Sequence, residues 1–142
     1  MAESDAVELV LNKIKIDENR NEQIIILKER EGERYLPVVI GIAEVNAIKL
    51  KLSGIEPPRP LTHDLMLHVI QNFGGELKRI LIDRLENSTF YAKLIISKTE
   101  KNGVSEIEID ARPSDSIALA LRANAPIFAN KGVLEEAGIS EL

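Results

Sequence analysis

"IDARPSDSIALAL", residues 109–121, begins as a strand and ends as a helix built from small and apolar residues. The change of period falls at Pro113, and five conspicuous residues crowd the corner: Asp110, Arg112, Pro113, Ser114 and Asp115. Arg112 precedes a proline and is held extended, while Pro113 suits the first helical turn, where its missing N–H costs nothing. Ser114 and Asp115 stand where side-chain oxygens cap free amides and where an acid meets the positive end of the helix dipole. Capping accounts for Pro113, Ser114 and Asp115, and a local ion pair is the plain alternative for Asp110 and Arg112. The other reading of the same corner is a functional site.

The stretch has a partner upstream. With "IGIAEVNAIKLKL" from residue 40 set beneath it, Ile40, Ile48, Leu50 and Leu52 fall under Ile109, Ile117, Leu119 and Leu121, an offset of 69. The same offset pairs Ile26 with Ile95, Val38 with Ile107 and Pro57 with Pro126. Apolar runs and turn signals align as well, which points to two tandem, quasi-equivalent units at about 7–73 and 76–139. Each reads as three strands followed by helical segments. In the first, "VELVLNKIKI", "EQIIILKE" and "RYLPVVIGI" are strands, with helices near 44–53 and 62–73 on either side of the proline-rich "GIEPPRP". In the second, "ELKRILIDRL", "FYAKLIIS" and "VSEIEIDA" are strands, with helices near 114–123 and 133–137. Strands joined by hairpin-length turns, then helices, predict an α+β fold rather than a doubly wound parallel sheet. The stripes Val45, Ile48, Leu52 and Ile117, Ala120, Leu121 give each half a helix to lay on its sheet.

Composition narrows the function. A chain of 142 residues, 44% hydrophobic, closes one core, so 1–142 is read as one domain. No apolar run approaches the roughly 20 residues that span a bilayer, and the acidic "MAESDAVELV" is unlike a signal peptide, so the expectation is a cytoplasmic protein without membrane contact. Cys is absent, which removes disulfides, thiolate nucleophiles and Cys-based zinc sites, and two His are too few for an all-imidazole metal site. A net charge of −5 argues against a sequence-blind grip on a polyanion, and 4% aromatic residues leave little for stacking on bases. Neither a phosphate-cradling Gly-Lys-Ser/Thr loop nor a Gly-x-Ser-x-Gly elbow is present.

A second polar corner is "PRPLTHDLM", residues 58–66. Thr62 reads as an N-cap, with His63 and Asp64 in the first turn. A His there has its protonated form disfavoured, which suits a general base or a metal ligand; a capped helix with a solvent-facing His is the plain alternative. Arg59 beside it can hold an anion, and His68 lies one helical turn from Asp64.

Taken together, "LPVVIGIAEVNAIKL", "RPLTHDLM" and "DARPSDSIALALRANAPIFA" resemble the bifunctional nuclease family, over about residues 7–139. The resemblance implies a compact α+β protein and an activity that cuts both DNA and RNA. The positions that match the family's polar residues are Glu44, Arg59, His63, Asp64, Asp110, Arg112, Ser114 and Asp115. On that basis His63, Asp64, Asp110 and Asp115 are the expected catalytic residues, and Arg59, Arg112 and Ser114 the expected substrate contacts. Oxygens of Asp110, Asp115, Asp64 and Glu44 would hold Mg²⁺ or Mn²⁺, with no organic cofactor. Single-stranded nucleic acid is the expected partner, and an exposed edge at "VELVLNKIKI" suggests a homodimer.

The competing expectation is a non-enzymatic binding or regulatory module with an anion-binding groove. The first unit has Gly41, Ala43 and Glu44 where the second has Asp110, Arg112 and Pro113, so only one strand-to-helix corner reads as polar. An architectural role would polarise both. That asymmetry favours a single functional site.

Overall fold

The computed structural model describes residues 5–17, 19 and 22–142. The described residues form β1 (Ala6–Asp17), β2 (Glu22–Glu29), β3 (Tyr35–Ile40), α1 (Ile42–Leu52), α2 (Thr62–Asn72), β4 (Gly75–Glu86), β5 (Thr89–Glu100), β6 (Gly103–Ala111), α3 (Pro113–Ala123), β7 (Ile127–Asn130) and α4 (Lys131–Ala137). All seven strands share one sheet in the order β3-β2-β1-β7-β4-β5-β6. This is the expected α+β class.

Each expected hairpin forms. β1 pairs antiparallel with β2, β2 with β3, β4 with β5 and β5 with β6. Asn87 and Ser88 turn the β4–β5 hairpin with positive φ, the geometry a two-residue hairpin demands. What the sequence reading did not contain is β7. Four residues, "IFAN", carry too short a pattern to announce a strand, yet they join the halves of the sheet. β7 runs antiparallel to the start of β1 and parallel to β4, and Asn130 donates from Nδ2 to the Asp83 carbonyl at 2.8 Å. At the offset of 69, residues 58–61 lie outside any strand, so β7 has no counterpart in the first half. The topology also corrects the expected exposed edge at β1. That strand lies between β2 and β7, and the sheet's edges are β3 and β6.

The core fills the space between one sheet face and the helices. Alternation assigns Leu9, Ile25, Leu27, Leu36 and Val38 from one half, and Leu77, Ile80, Ile82, Ala92 and Leu94 from the other, to a single buried cluster. α3 is its centre. It packs against α1, α2, β4 and β5, and Ile117, Ala118, Leu119 and Ala120 are all buried. Small residues permit this close approach from every side, whereas α1 keeps Lys49 and Lys51 in solvent at the corresponding positions. No helix among the described residues is long and apolar enough to cross a membrane.

This burial makes the helix sensitive to truncation. Ile117→Ala is expected to cost about 2–5 kcal/mol, the usual range for emptying a fully buried aliphatic site. Ile107→Ala on edge strand β6, where the side chain is 42% exposed, is expected to cost distinctly less. Urea denaturation of the two variants beside the parent chain checks both.

Candidate functional site

The N-termini of three helices meet at one place. α1 brings Glu44, α2 brings His63 and α3 brings Asp115, each in its helix's first turn, and Arg112 is the N-cap of α3. His63 Nε2 lies 2.9 Å from Asp115 Oδ1, across 52 residues of sequence. An ionised carboxylate has no proton to give, so Nε2 carries the hydrogen of this contact, and in the neutral ring Nδ1 is left with the lone pair. The imidazole is buried, and it borders an open groove of about 610 Å³ walled by Ala47, Leu50, Pro60 and Leu61.

Arg112 ties the other two helices together. Its Nε and Nη2 donate to Asp115 Oδ2 at 3.2 and 3.1 Å, and Nη2 also donates to Glu44 Oε1 at 3.1 Å. These hydrogen bonds and charges, Asp115's foremost, push the guanidinium above its ordinary value, so it stays charged. Glu44, Arg112, Asp115 and His63 thus form one continuous chain of contacts. The first strand-to-helix corner is therefore not apolar in function: through Glu44 it completes the second.

Capping does not account for this corner. Among the described residues no side chain caps α3 and none bonds to the Ser114 hydroxyl, and the Asp115 carboxylate is turned to His63 and Arg112. Ser116 Oγ donates to the Arg112 carbonyl instead. At α2 the N-cap is Leu61 rather than Thr62, and its backbone N–H donates to Asp64 Oδ2 at 3.0 Å.

Asp64 lies beside this cluster, in a different bond. Arg122 Nε donates to Asp64 Oδ1 at 2.8 Å, while Nη1 and Nη2 donate to the carbonyls of Ala118 and Ala47 at 3.0 Å each. With a side chain only 4% exposed, Arg122 ties α1, α2 and α3 to one another. Burial alone would push the Asp64 carboxyl up, but the Leu61 N–H and the Arg122 guanidinium outweigh it and hold it below its ordinary value. Sequence reasoning passed over Arg122. The available signal was its place four residues after Ala118, on the buried face of a helix where an Arg demands partners.

Asp110 is not brought to the site. On β6 it alternates with Ile109 and Ala111, whose register partners Leu94 and Ala92 belong to the core, so Asp110 stands on the opposite sheet face opposite Lys93. Arg59 is exposed on the loop between α1 and α2 and bonds to none of these side chains. The carboxylates expected to share a metal are therefore dispersed. Asp64 serves Arg122, Glu44 and Asp115 serve Arg112, and Asp110 lies across the sheet. Among the described residues no group of three or more His, Asp or Glu side chains is placed to hold a metal ion.

A family profile described as the bifunctional nuclease domain matches residues 25–141, which takes in every one of these side chains. The chain belongs to the bifunctional nuclease domain family. An uncharacterized protein of Mycobacterium tuberculosis is 44% identical over 126 residues, 89% of this chain and 73% of that protein. Bifunctional nuclease 1 of Arabidopsis thaliana is 27% identical over 108 residues, 75% of this chain and 33% of that protein. Bifunctional nuclease 1 of Oryza sativa subsp. indica is 25% identical over 116 residues, 81% of this chain and 35% of that protein. Only about a third of each plant protein is thus matched by this bifunctional nuclease domain.

Two outcomes test the Asp64–Arg122 bond. Arg122→Met is expected to cost about 3–5 kcal/mol, because it leaves a partly buried carboxylate unpaired. Asp64's folded value lies below the 3.8 of a free side chain, so the stability it contributes is present above that pH and is lost as pH falls through the folded value. Acid unfolding followed by circular dichroism is expected to show a shallower loss below about pH 4 for Asp64→Asn than for the parent chain.

Proposed function

We propose that this chain is a nuclease that hydrolyses phosphodiester bonds in single-stranded DNA and RNA, with His63 as general base, Asp115 as its orienting partner and Arg112 as the phosphate contact. The observation that carries the proposal is the 2.9 Å His63–Asp115 contact at the edge of an open groove. A carboxylate that fixes the tautomer and the ring leaves Nδ1 to accept a proton from water or from a ribose hydroxyl, and stabilises the imidazolium that results. Arg112 is a planar donor whose Nη1 has no partner among the described residues, so it can hold a phosphate next along the strand from the one beside His63 without releasing Asp115. Family membership and the plant relatives named bifunctional nucleases support the reading.

The four side chains expected to hold Mg²⁺ or Mn²⁺ do not converge, so the proposed chemistry rests on His63, Asp115 and Arg112. Asp110 takes no part, and Asp64 and Arg122 set the angle at which His63 meets Asp115. The proposal includes the duplicated origin of the fold. β1 and β4 begin 69 residues apart at Ala6 and Gly75, and each opens a run of three strands and a helix.

A second reading has its own observation. Arg112, Glu44, Asp115 and His63 bond to one another, as they would in a lock that only holds three helices together around an anion-binding groove. Cleavage of a labelled single-stranded oligonucleotide separates the two. His63→Ala and Asp115→Asn are each expected to lower the rate by about 10²–10⁴, the usual contribution of general-base catalysis, and Asp110→Asn to leave it unchanged. Equal rates in the parent chain and His63→Ala, with folding intact and with or without added Mg²⁺, would favour the lock.

A further inference from the structure

We propose a second, phosphate-binding compartment on the other side of the Glu44–Arg112 pair from His63: a subsite for a singly charged phosphodiester, centred on Ser114. An open groove of about 610 Å³ lies there, between the β3–α1 corner, the β4–β5 turn and the first turn of α3. Its walls include Gly41, Glu44, Thr89, Arg112 and Ser114. Naming the diester as a stretch of nucleic acid rests on the nuclease reading above; the anion subsite is argued from geometry.

Four features converge on that groove. Ser114 is only 6% exposed, yet among the described residues its hydroxyl has no hydrogen-bond partner, and the residue lines the groove. A hydroxyl that has no protein partner and reaches an open groove is free to donate to whatever enters it. Ser114 is also the second residue of an eleven-residue helix whose first-turn amides receive no side-chain cap. The N-cap of α1, Gly41, lines the same groove and likewise supplies no cap, so two helix dipoles present their positive ends to one space. Finally, Arg112 is on the wall with Nη1 unpartnered.

Charge selects the ligand. Glu22 and Glu44 also line the groove, and two carboxylates beside one guanidinium disfavour a doubly charged phosphate more than a singly charged one. A phosphodiester carries one charge at any pH near neutral, whereas inorganic phosphate and terminal phosphate monoesters carry between one and two, rising with pH. The subsite therefore takes an internal backbone phosphate, which places the strand across the Arg112 ridge with a neighbouring linkage beside His63.

Dimethyl phosphate titrated into the labelled protein, followed by amide nitrogen–proton correlation spectra, tests this. The expected result is saturable shifts at Ser114, Asp115 and Gly41, with inorganic phosphate binding more weakly at the same amides. Ser114→Ala, its spectrum otherwise unchanged, is expected to weaken dimethyl phosphate binding about tenfold, the loss of one hydrogen bond to a charged group. Shifts confined to Leu61 and His63, unaltered binding by Ser114→Ala, or tighter binding of inorganic phosphate would each overturn the proposal. Oligonucleotide cleavage run in parallel keeps the two readings apart. Binding at Ser114 without cleavage sinks the nuclease and leaves the subsite, while cleavage with unchanged KM in Ser114→Ala sinks the subsite and leaves the nuclease.

Discussion

The guanidinium of Arg122 sits at the end of the most buried helix in the molecule and bonds at once to the Asp64 carboxylate, the Ala118 carbonyl and the Ala47 carbonyl. Those acceptors belong to α2, α3 and α1. A charge withdrawn from water carries a desolvation cost of several kcal/mol unless its donors are satisfied, which favours the arrangement of the three helices that satisfies it. The same arrangement brings Glu44, His63, Arg112 and Asp115 within bonding distance of one another. Their geometry is set by a neighbouring bond that has no part in the proposed chemistry.

The sheet gives that helical layer a base. The hairpins formed by residues 6–40 and 75–111 would each leave an apolar face under-covered if they stood alone. β7 joins them by pairing with β1 on one side and β4 on the other, so Ile127 and Ala129 enter the same core as the strands they bridge. α3 then lies over the joined sheet instead of over one half. The strand-to-helix corner at Arg112 is carried inward as a result, toward the corner at Gly41, and Glu44 reaches it.

Acid outnumbers base at the site. Arg112 faces two carboxylates, and His63 is held by one of them, so a phosphate that arrives must use donors those bonds leave open. Among the described residues Arg112 Nη1 and the Ser114 hydroxyl have no partner, and Arg112 and Ser114 both line the groove away from His63. A base on one side of the ridge and anion donors on the other fit a strand that crosses it.

Local physics wrote much of this into the sequence. Hydrophobic pattern marked six strands, Pro113 and the prolines of "GIEPPRP" bounded the helices, and the residues at 63–64 and 110–115 stood out as two polar corners, with helix capping and a functional site both open as readings. That pattern, the prolines and the crowding of polar residues depend on neighbours a few positions away, which a sequence displays directly. Three things did not show there. "IFAN" is too short to carry a period, Arg122 resembled any last-turn Arg until its burial was known, and Asp110 shared its motif with Asp115 while its strand turned it to the opposite face. Each was decided by contacts between residues tens of positions apart. Such contacts depend on how the helices and sheet pack, and hydrophobic pattern specifies a face without specifying what it meets.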